Sequence, residues 1–401
     1  MRIINVSIAI LTTCLLLTAG TTFSQSKNKP YVIFISADGF RYDYATKFNT
    51  INLLRLSSGG VRAKSMIPSY PSVTRPNHYS LVTGLYPGHT GIAGNSFYDP
   101  KSKTMFNKTE GVWFDSQSIW QTASKSGVIT ANINYPDGRT ITKGMKDVYQ
   151  IKKAKEITID DQLEVIQEWL KMPEGKRPHL ITLYFNDTDH QGHIYGPDAV
   201  EVADAAKKID DNIGRIDALI ESIGLPVDII FVSDHGMTSI DKRNMLRVPP
   251  SVDTSDFVVN NQNSLVNLYA KNPATIMETY KNLLAQEKND YKVYLNSNIP
   301  VNWHYGGNDD KYKHAGDIVL VPHYPKTFNS KSGKGMHGFD PEKVADMGAT
   351  FMAWGPSFKK GITIEPFKNV EVYNLVATIL GLPINSNDGK GTLSNEILNN
   401  R

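Results

Sequence analysis

Three short runs of apolar, largely β-branched residues each break off at an acidic residue, and no other feature constrains the fold of this chain as strongly. Tyr31-Val32-Ile33-Phe34-Ile35-Ser36 leads into Asp38-Gly39. Leu180-Ile181-Thr182-Leu183-Tyr184-Phe185 leads into Asn186-Asp187-Thr188-Asp189-His190-Gln191-Gly192-His193. Val227-Asp228-Ile229-Ile230-Phe231-Val232-Ser233 leads into Asp234-His235-Gly236. Runs with little polar alternation predict strands covered on both faces. Asp317–Val321 reads as a fourth such strand. Between the runs lie helical patterns: Leu163, Ile166, Trp169 and Leu170 share one face, as do Val202, Ala206, Ile209, Ile213, Ile216 and Ile220. This alternation predicts an α/β fold with a mostly parallel central sheet and helices on both faces.

In open α/β sheets, ligands bind outside the carboxyl ends of the strands. Here those ends deliver carboxylates and imidazoles to one edge, and Gly335-Met336-His337-Gly338 brings a further His in a glycine-flanked loop. Crowded carboxylates repel one another, and removal from water raises the cost, so such a cluster calls for a cation. The chain has a single cysteine, Cys14, which excludes a disulfide framework, a cysteine zinc site and an iron–sulfur cluster. Asp oxygen with His nitrogen suits Zn²⁺, and Mn²⁺ or Fe less well. Asp189 and His193, four residues apart, can share a helical turn or a tight loop, whereas adjacent Asp234 and His235 need a bent backbone that Gly236 permits. The chain holds 10 His, of which His78, His89, His179, His190, His304, His314 and His323 read as bystanders.

The ends and the charge balance narrow the remaining classes. Lys+Arg 43 against Asp+Glu 40 leaves a net charge of +3, too balanced to indicate a nucleic-acid or membrane-surface binder. Residues 1–24 read as a secretory signal: Arg2, an apolar core from Ile8 to Leu17, and small residues Thr22 and Ser24 before Gln25. A retained anchor is the alternative, although the run falls short of the roughly 20 residues a span needs. Residues 25–401 are then expected to form one exported, periplasmic or secreted, catalytic domain, with a small cap built from segments around 240–310. Asn296–Lys313 and Lys326–Gly335 read as loops. Gly333-Lys334-Gly335-Met336-His337-Gly338 fits the dinucleotide-binding spacing of an NAD-dependent oxidoreductase, but no strand runs into it and no helix follows. The chain has no G-x-S-x-G elbow of a serine hydrolase.

With these residues assembled, the chain resembles the nucleotide pyrophosphatase/phosphodiesterase family of the alkaline phosphatase superfamily, over about Tyr31 to Leu393. The resemblance is carried by Pro68-Ser69-Tyr70-Pro71-Ser72-Val73-Thr74-Arg75-Pro76-Asn77-His78-Tyr79-Ser80-Leu81-Val82-Thr83-Gly84-Leu85-Tyr86-Pro87 and by Gly91-Ile92-Ala93-Gly94-Asn95-Ser96-Phe97-Tyr98-Asp99-Pro100. Arg177-Pro178-His179, Gly192-His193-Ile194-Tyr195-Gly196-Pro197 and Asn369-Val370-Glu371-Val372-Tyr373-Asn374-Leu375 extend it. It implies an alkaline-phosphatase-like fold and two zinc ions, one held by Asp189, His193 and His337, the other by Asp38, Asp234 and His235. It also implies that Thr74 is the nucleophile with its oxygen between the metals, and that Asn95 donates to a nonbridging phosphate oxygen. A Thr hydroxyl needs such activation, and a metal pair suits in-line displacement through a phospho-threonine intermediate.

Nucleotide-cleaving members of that family carry an aromatic after the nucleophile, where this chain has Arg75. Lys153, with Lys152 and Lys155 beside it, stands where a second stacking aromatic is expected, unless Tyr149 serves instead. Arg75 is then either a loop cation or a partner for a second phosphate or anionic head group. Monoester-preferring relatives carry a Lys-x-Arg pair, whereas Tyr135-Pro136-Asp137-Gly138-Arg139 resembles the diesterase version and Lys143 lies too far along. The expected substrate is a small-molecule phosphodiester or nucleotide, with a phosphomonoester or a glycerol- or choline-lipid diester as alternatives.

Overall fold

The computed structural model describes residues 30–151, 157–287, 290–328 and 333–400. The expected signal at 1–24 and Lys152, Lys153 and Lys155 lie outside the described residues. Among the described residues, the central sheet has eight strands in the order Ile362–Ile364, Val61–Ala63, Phe351–Trp354, Val227–Val232, Tyr31–Ala37, Leu180–Phe185, Thr130–Ile133, Val148–Gln150. Only Phe351–Trp354 runs antiparallel to its neighbours. The α/β fold with a mostly parallel sheet is therefore as the sequence pattern predicts.

Strand period divides the core into two layers. Val32 and Phe34 face one side, in a cluster with Leu81 and Val82 of helix Thr74–Thr83 and with Val372, Leu375, Val376 and Ile379 of helix Glu371–Leu380. Ile33 and Ile35 face the other side, against Ile166 of helix Ile159–Leu170 and Ile209, Ile213 and Ile216 of helix Val200–Ile223. A fully buried side chain such as Ile35 contributes roughly 1.5–3 kcal/mol, so the three central strands are fixed by many such residues. Register then sets the functional edge. Ala37 pairs with Phe185 and Ser36 with Val232, so Asp38 and Asp234 leave the sheet at the same level.

The fourth predicted strand lies elsewhere. Ile318–Pro322 belongs to a separate four-stranded antiparallel sheet with Phe257–Asn261, Val266–Ala270 and Tyr291–Leu295. Its apolar run covers a second small core, with Phe257, Leu268 and Leu283. Continuous hydrophobicity reports burial on both faces, not which sheet a strand joins, which is why the pattern misassigned it. This sheet falls largely within the region expected to form a cap. Asn296–Lys313 is a series of short 3₁₀ turns.

Candidate active site

Each predicted ligand reaches the carboxyl edge of the sheet by a separate local device. Asp38 follows its strand directly, and Gly39 then turns in the left-handed region (φ +64°), where a Cβ would lie 2.9 Å from the Asp189 Cα. Asp189 and His193 occupy one turn of helix Asp187–Tyr195, so the four-residue spacing is helical. Asp234 and His235 are both fully buried after their strand, and the Gly39 N–H donates to Asp234 Oδ1 at 3.1 Å. Gly236 serves close approach rather than left-handed freedom, because a Cβ there would sit 2.1 Å from the Asp346 carbonyl oxygen. His337 arrives on the two-residue strand Gly335–Met336, paired with Thr238–Ser239. That pairing also replaces any dinucleotide-binding turn at Gly333–Gly338.

These six side chains meet. His193 Nε2 lies 3.1 Å from His337 Nε2, and Asp189 Oδ1 lies 3.4 and 3.5 Å from those two nitrogens. His235 Nε2 lies 3.0 Å from Asp234 Oδ2 and 3.5 Å from Asp38 Oδ1, and its ring stacks on His337 at 3.6 Å. Asp189, His193 and His337 form one group whose donor atoms all fall within 4.8 Å of one another. Asp38 does so with Asp189 and His235, and also with His78 and Asp234.

The hydrogen bonds say what such a cluster lacks. Nδ1 of His193, His235 and His337 faces the carbonyl oxygens of Gly335, Gly236 and Ser72 at 3.2, 2.8 and 2.9 Å. Assigning the proton to Nδ1 leaves each Nε2 as a lone pair pointing into the cluster. Asp38 Oδ1, Asp189 Oδ1 and Asp234 Oδ2 are buried there without a hydrogen-bond partner. Burial, then repulsion from Asp234 and Asp189, pushes the Asp38 carboxyl well above its ordinary range. For Asp234 burial acts upward, but the neighbouring His235 and His78 outweigh it and hold the carboxyl low. Burial, then the neighbouring His235, pushes His337 down to about 3. Unpaired buried oxygens and facing imidazole lone pairs, with no sulfur donor, fit bound divalent cations such as zinc.

Two further groups support this set. The Tyr184 hydroxyl donates to Asp38 Oδ2 at 2.5 Å. His78, read from sequence as a bystander, places Nε2 2.8 Å from Ser36 Oγ and Nδ1 2.9 Å from the Thr74 carbonyl and 3.4 Å from Asp234 Oδ2. Both its nitrogens are engaged by protein groups, so it stands beside Asp234 without a nitrogen left to serve as a ligand. Its spacing of one helical turn from Thr74 was the available signal; Tyr184 gave none, because it reads as one more apolar strand residue.

Thr74 is the first residue of its helix, and Oγ1 stands 3.3 Å from His235 Nε2. The Arg75 N–H donates to Asn95 Oδ1 at 2.9 Å, which leaves the Asn95 amide N–H groups as the donors. Arg75 is not a free cation. Nε donates to Asp137 Oδ2 at 2.5 Å, Nη1 donates to the Asn95 carbonyl at 2.8 Å, and the guanidinium lies 5.0 Å over the Phe106 ring. Tyr149 is committed elsewhere, with its hydroxyl on the Lys176 carbonyl and its ring near Trp169. A recess of about 1010 Å³ opens beside Asp137 and Tyr184, lined also by Asn132, Arg139, Gln150 and Lys208.

Carboxylates and imidazoles gathered at the carboxyl edge of a mostly parallel sheet are a donor set suited to divalent cations, at the edge where α/β enzymes bind their ligands. A family profile described as type I phosphodiesterase / nucleotide pyrophosphatase matches residues 32–340. A pyrophosphatase/phosphodiesterase of Schizosaccharomyces pombe is 31% identical over 400 residues, covering 92% of this chain and 81% of that protein. The chain therefore belongs to the type I phosphodiesterase/nucleotide pyrophosphatase family, within the alkaline phosphatase superfamily. Ectonucleotide pyrophosphatase/phosphodiesterase family member 1 of Rattus norvegicus is 32% identical over 391 residues, 91% of this chain but 42% of that protein, so the chain spans about two fifths of its length. Among solved structures, murine ectonucleotide pyrophosphatase/phosphodiesterase 5 matches with a TM-score of 0.83 at 26% identity, covering 92% of this chain and 100% of that one. An inactive Thr-to-Ala variant of that murine protein in complex with AMP matches at the same TM-score and 25% identity. Among the described residues, no helix is long and apolar enough to cross a membrane.

Proposed function

We propose that the chain hydrolyses phosphodiester or pyrophosphate bonds of small molecules, with Thr74 as nucleophile and two zinc ions as cofactors. Asp189, His193 and His337 would hold one ion and Asp38, Asp234 and His235 the other, beside the Thr74 hydroxyl. One observation carries the reading: three orphaned carboxylate oxygens and the inward Nε2 atoms of three His converge beside a Thr hydroxyl at a helix N-terminus. The AMP complex of an inactive Thr-to-Ala relative supports both the nucleophile and a nucleotide-like substrate. When bound, the ions lower the pKa of the Thr74 hydroxyl and offset charge on the transferring phosphoryl group.

The chain's own groups do the rest. The positive dipole end of helix Thr74–Thr83 faces the anionic oxygens of the substrate. Asn95, with Oδ1 already used, donates its amide N–H to a nonbridging oxygen. Thr74 gives its hydroxyl proton to solvent and Oγ1 forms the new bond to phosphorus as the bond to the leaving oxygen breaks on the opposite side, and the leaving group takes a proton from solvent. Water then cleaves the phospho-threonine, releasing a phosphomonoester and restoring the hydroxyl. Diesters are favoured over monoesters because Asp137-Gly138-Arg139 stands where monoester-preferring relatives carry a Lys-x-Arg pair. We take residues 1–24 as an export signal and 25–401 as one catalytic domain.

Thr74→Ala tests the assignment. The variant is expected to keep its fold and two equivalents of zinc and to lose roughly three orders of magnitude or more in kcat on bis(p-nitrophenyl) phosphate. Undiminished turnover would end the mechanism.

A further inference from the structure

Arg75 stands next to the nucleophile, yet its positive charge is spent inside the protein. The Arg75–Asp137 pair is largely buried, with side chains 18% and 9% exposed. Asp137 receives Nε at 2.5 Å and Nη2 at 3.4 Å, while Nη1 donates to the Asn95 carbonyl. Beneath the guanidinium lies Phe106, itself stacked on Phe97 at 4.7 Å and edge-on to Trp113. A guanidinium has five N–H donors. Three are used here, so two remain, on a flat group whose charge its partner cancels.

The geometry of Asp137 shows that this pairing is built in. Asp137 holds a left-handed backbone (φ +55°) and precedes the short helix Gly138–Ile141 without capping it. Asp tolerates that region, but an Asp at a helix start ordinarily spends its carboxylate on the helix N–H groups. Here the carboxylate faces Arg75 instead.

We propose that the Arg75–Asp137 pair is the specificity determinant of this site. It is a planar, charge-neutral platform on Phe106 that takes an uncharged moiety rich in hydrogen-bond acceptors, such as the base or sugar of a nucleoside. It gives no advantage to a substrate carrying an additional phosphate on that moiety. A lone Arg beside the nucleophile would attract such a phosphate through charge and bidentate bonding. With Asp137 in contact, the attraction and the repulsion nearly cancel, and the remaining N–H groups supply direction without net charge. The same pair grips Asn95 through the Arg75 backbone N–H and Nη1, so tail recognition and phosphate positioning share one unit. This inference rests on phosphodiester cleavage at Thr74.

The test uses zinc-loaded protein and two substrates that differ only in the tail: the 5′-(p-nitrophenyl) phosphate ester of thymidine, and the same ester carrying a 3′-phosphate. The native enzyme is expected to cleave the unphosphorylated ester at least as efficiently. Asp137→Asn frees the guanidinium charge and is expected to move the kcat/KM ratio about tenfold toward the phosphorylated tail. Arg75→Gln leaves the carboxylate charge behind and is expected to move the ratio the opposite way. The second variant carries the test if the first does not fold. A native preference for the phosphorylated tail, or ratios that stay fixed in a folded variant, would overturn the proposal. Bis(p-nitrophenyl) phosphate, which has no such tail, separates the failures. Its turnover with unmoved ratios removes this proposal alone, whereas no turnover by the native protein removes the phosphodiesterase reading and this proposal with it.

Discussion

Two clusters of His and Asp in this chain use the same residue types to opposite ends. In the first, both ring nitrogens of His89 face carboxylates, Asp388 Oδ2 at 2.7 Å and Asp309 Oδ1 at 3.2 Å, and Asp309 Oδ2 takes Nδ1 of His304 at 2.9 Å. The Tyr86 N–H closes on Asp388 Oδ2 at 2.7 Å. In the second, at the sheet edge, Nε2 faces Nε2 across 3.1 Å, and three carboxylate oxygens have no partner. Protons and N–H groups complete the first cluster; the second is left with unpaired oxygens and facing lone pairs of the kind a cation would satisfy. Residue composition alone does not distinguish them, whereas the direction of lone pairs does.

The largest expected effect breaks this contrast at its centre. His235→Ala should lose bound zinc, measured by elemental mass spectrometry, and cut turnover of an aryl diester by about 1,000-fold or more. Asp388→Asn, in the satisfied cluster, should leave zinc content and turnover as they are. Equal zinc loss from the two variants would mean that the orphaned oxygens do not mark the metal site.

The sheet-edge cluster is itself uneven. Asp38, Asp234 and His235 are sealed from water, with side chains at most 2% exposed. Asp189 and His193 are 19% and 35% exposed. The sealed side also carries two carboxylates against one. A cation there meets more charge and less competing water, so it should be held longer. Under chelator, zinc is expected to leave in two phases, one equivalent quickly and the second slowly. His193→Ala should remove the fast phase and lower turnover by about 100-fold, with partial recovery in excess zinc. A single phase in the native protein would show that the two positions are equivalent.

Much of this site could be read from the sequence because sheet register does the assembling. Asp38 and Asp234 follow continuous apolar runs, and in-register parallel pairing puts such ends side by side. The spacing of Asp189 and His193 is likewise local and helical. Three things were not legible. Ile318–Pro322 has the hydrophobicity of a central strand but pairs in the smaller antiparallel sheet, since partner choice depends on long-range topology. Arg75 could be placed beside the nucleophile, but its neutralisation by Asp137, 62 residues away, depends on a turn at the end of another strand. Tyr184 reads as apolar strand filling, although its hydroxyl holds Asp38.

That hydroxyl offers a smaller test of the sealed cradle. Tyr184→Phe keeps the ring and removes the donor to Asp38 Oδ2, freeing the carboxylate to rotate. Zinc affinity at the slow position is expected to weaken about tenfold, the lower end of effects from groups that orient metal ligands. The fast phase should not change. If neither phase moves, Asp38 is oriented by its other contacts, such as the Thr188 hydroxyl on its carbonyl.

The smallest effect belongs to the satisfied cluster and concerns stability. His89 is pushed up to about 9, chiefly by its hydrogen bond to Asp388, against burial and with help from Asp309. An unfolded chain returns it to about 6.5. A folded pKa above the unfolded value means that the native state binds the proton more tightly, so this contribution is full below about pH 6.5 and fades as pH rises through about 9. His89 is about one third exposed, so solvent screens the pair and the contribution is modest. His89→Gln should lower the thermal midpoint near pH 6, and the gap from the native protein should close by about pH 10. A constant gap across that range would assign the loss to packing against Tyr86 and His304 rather than to the proton.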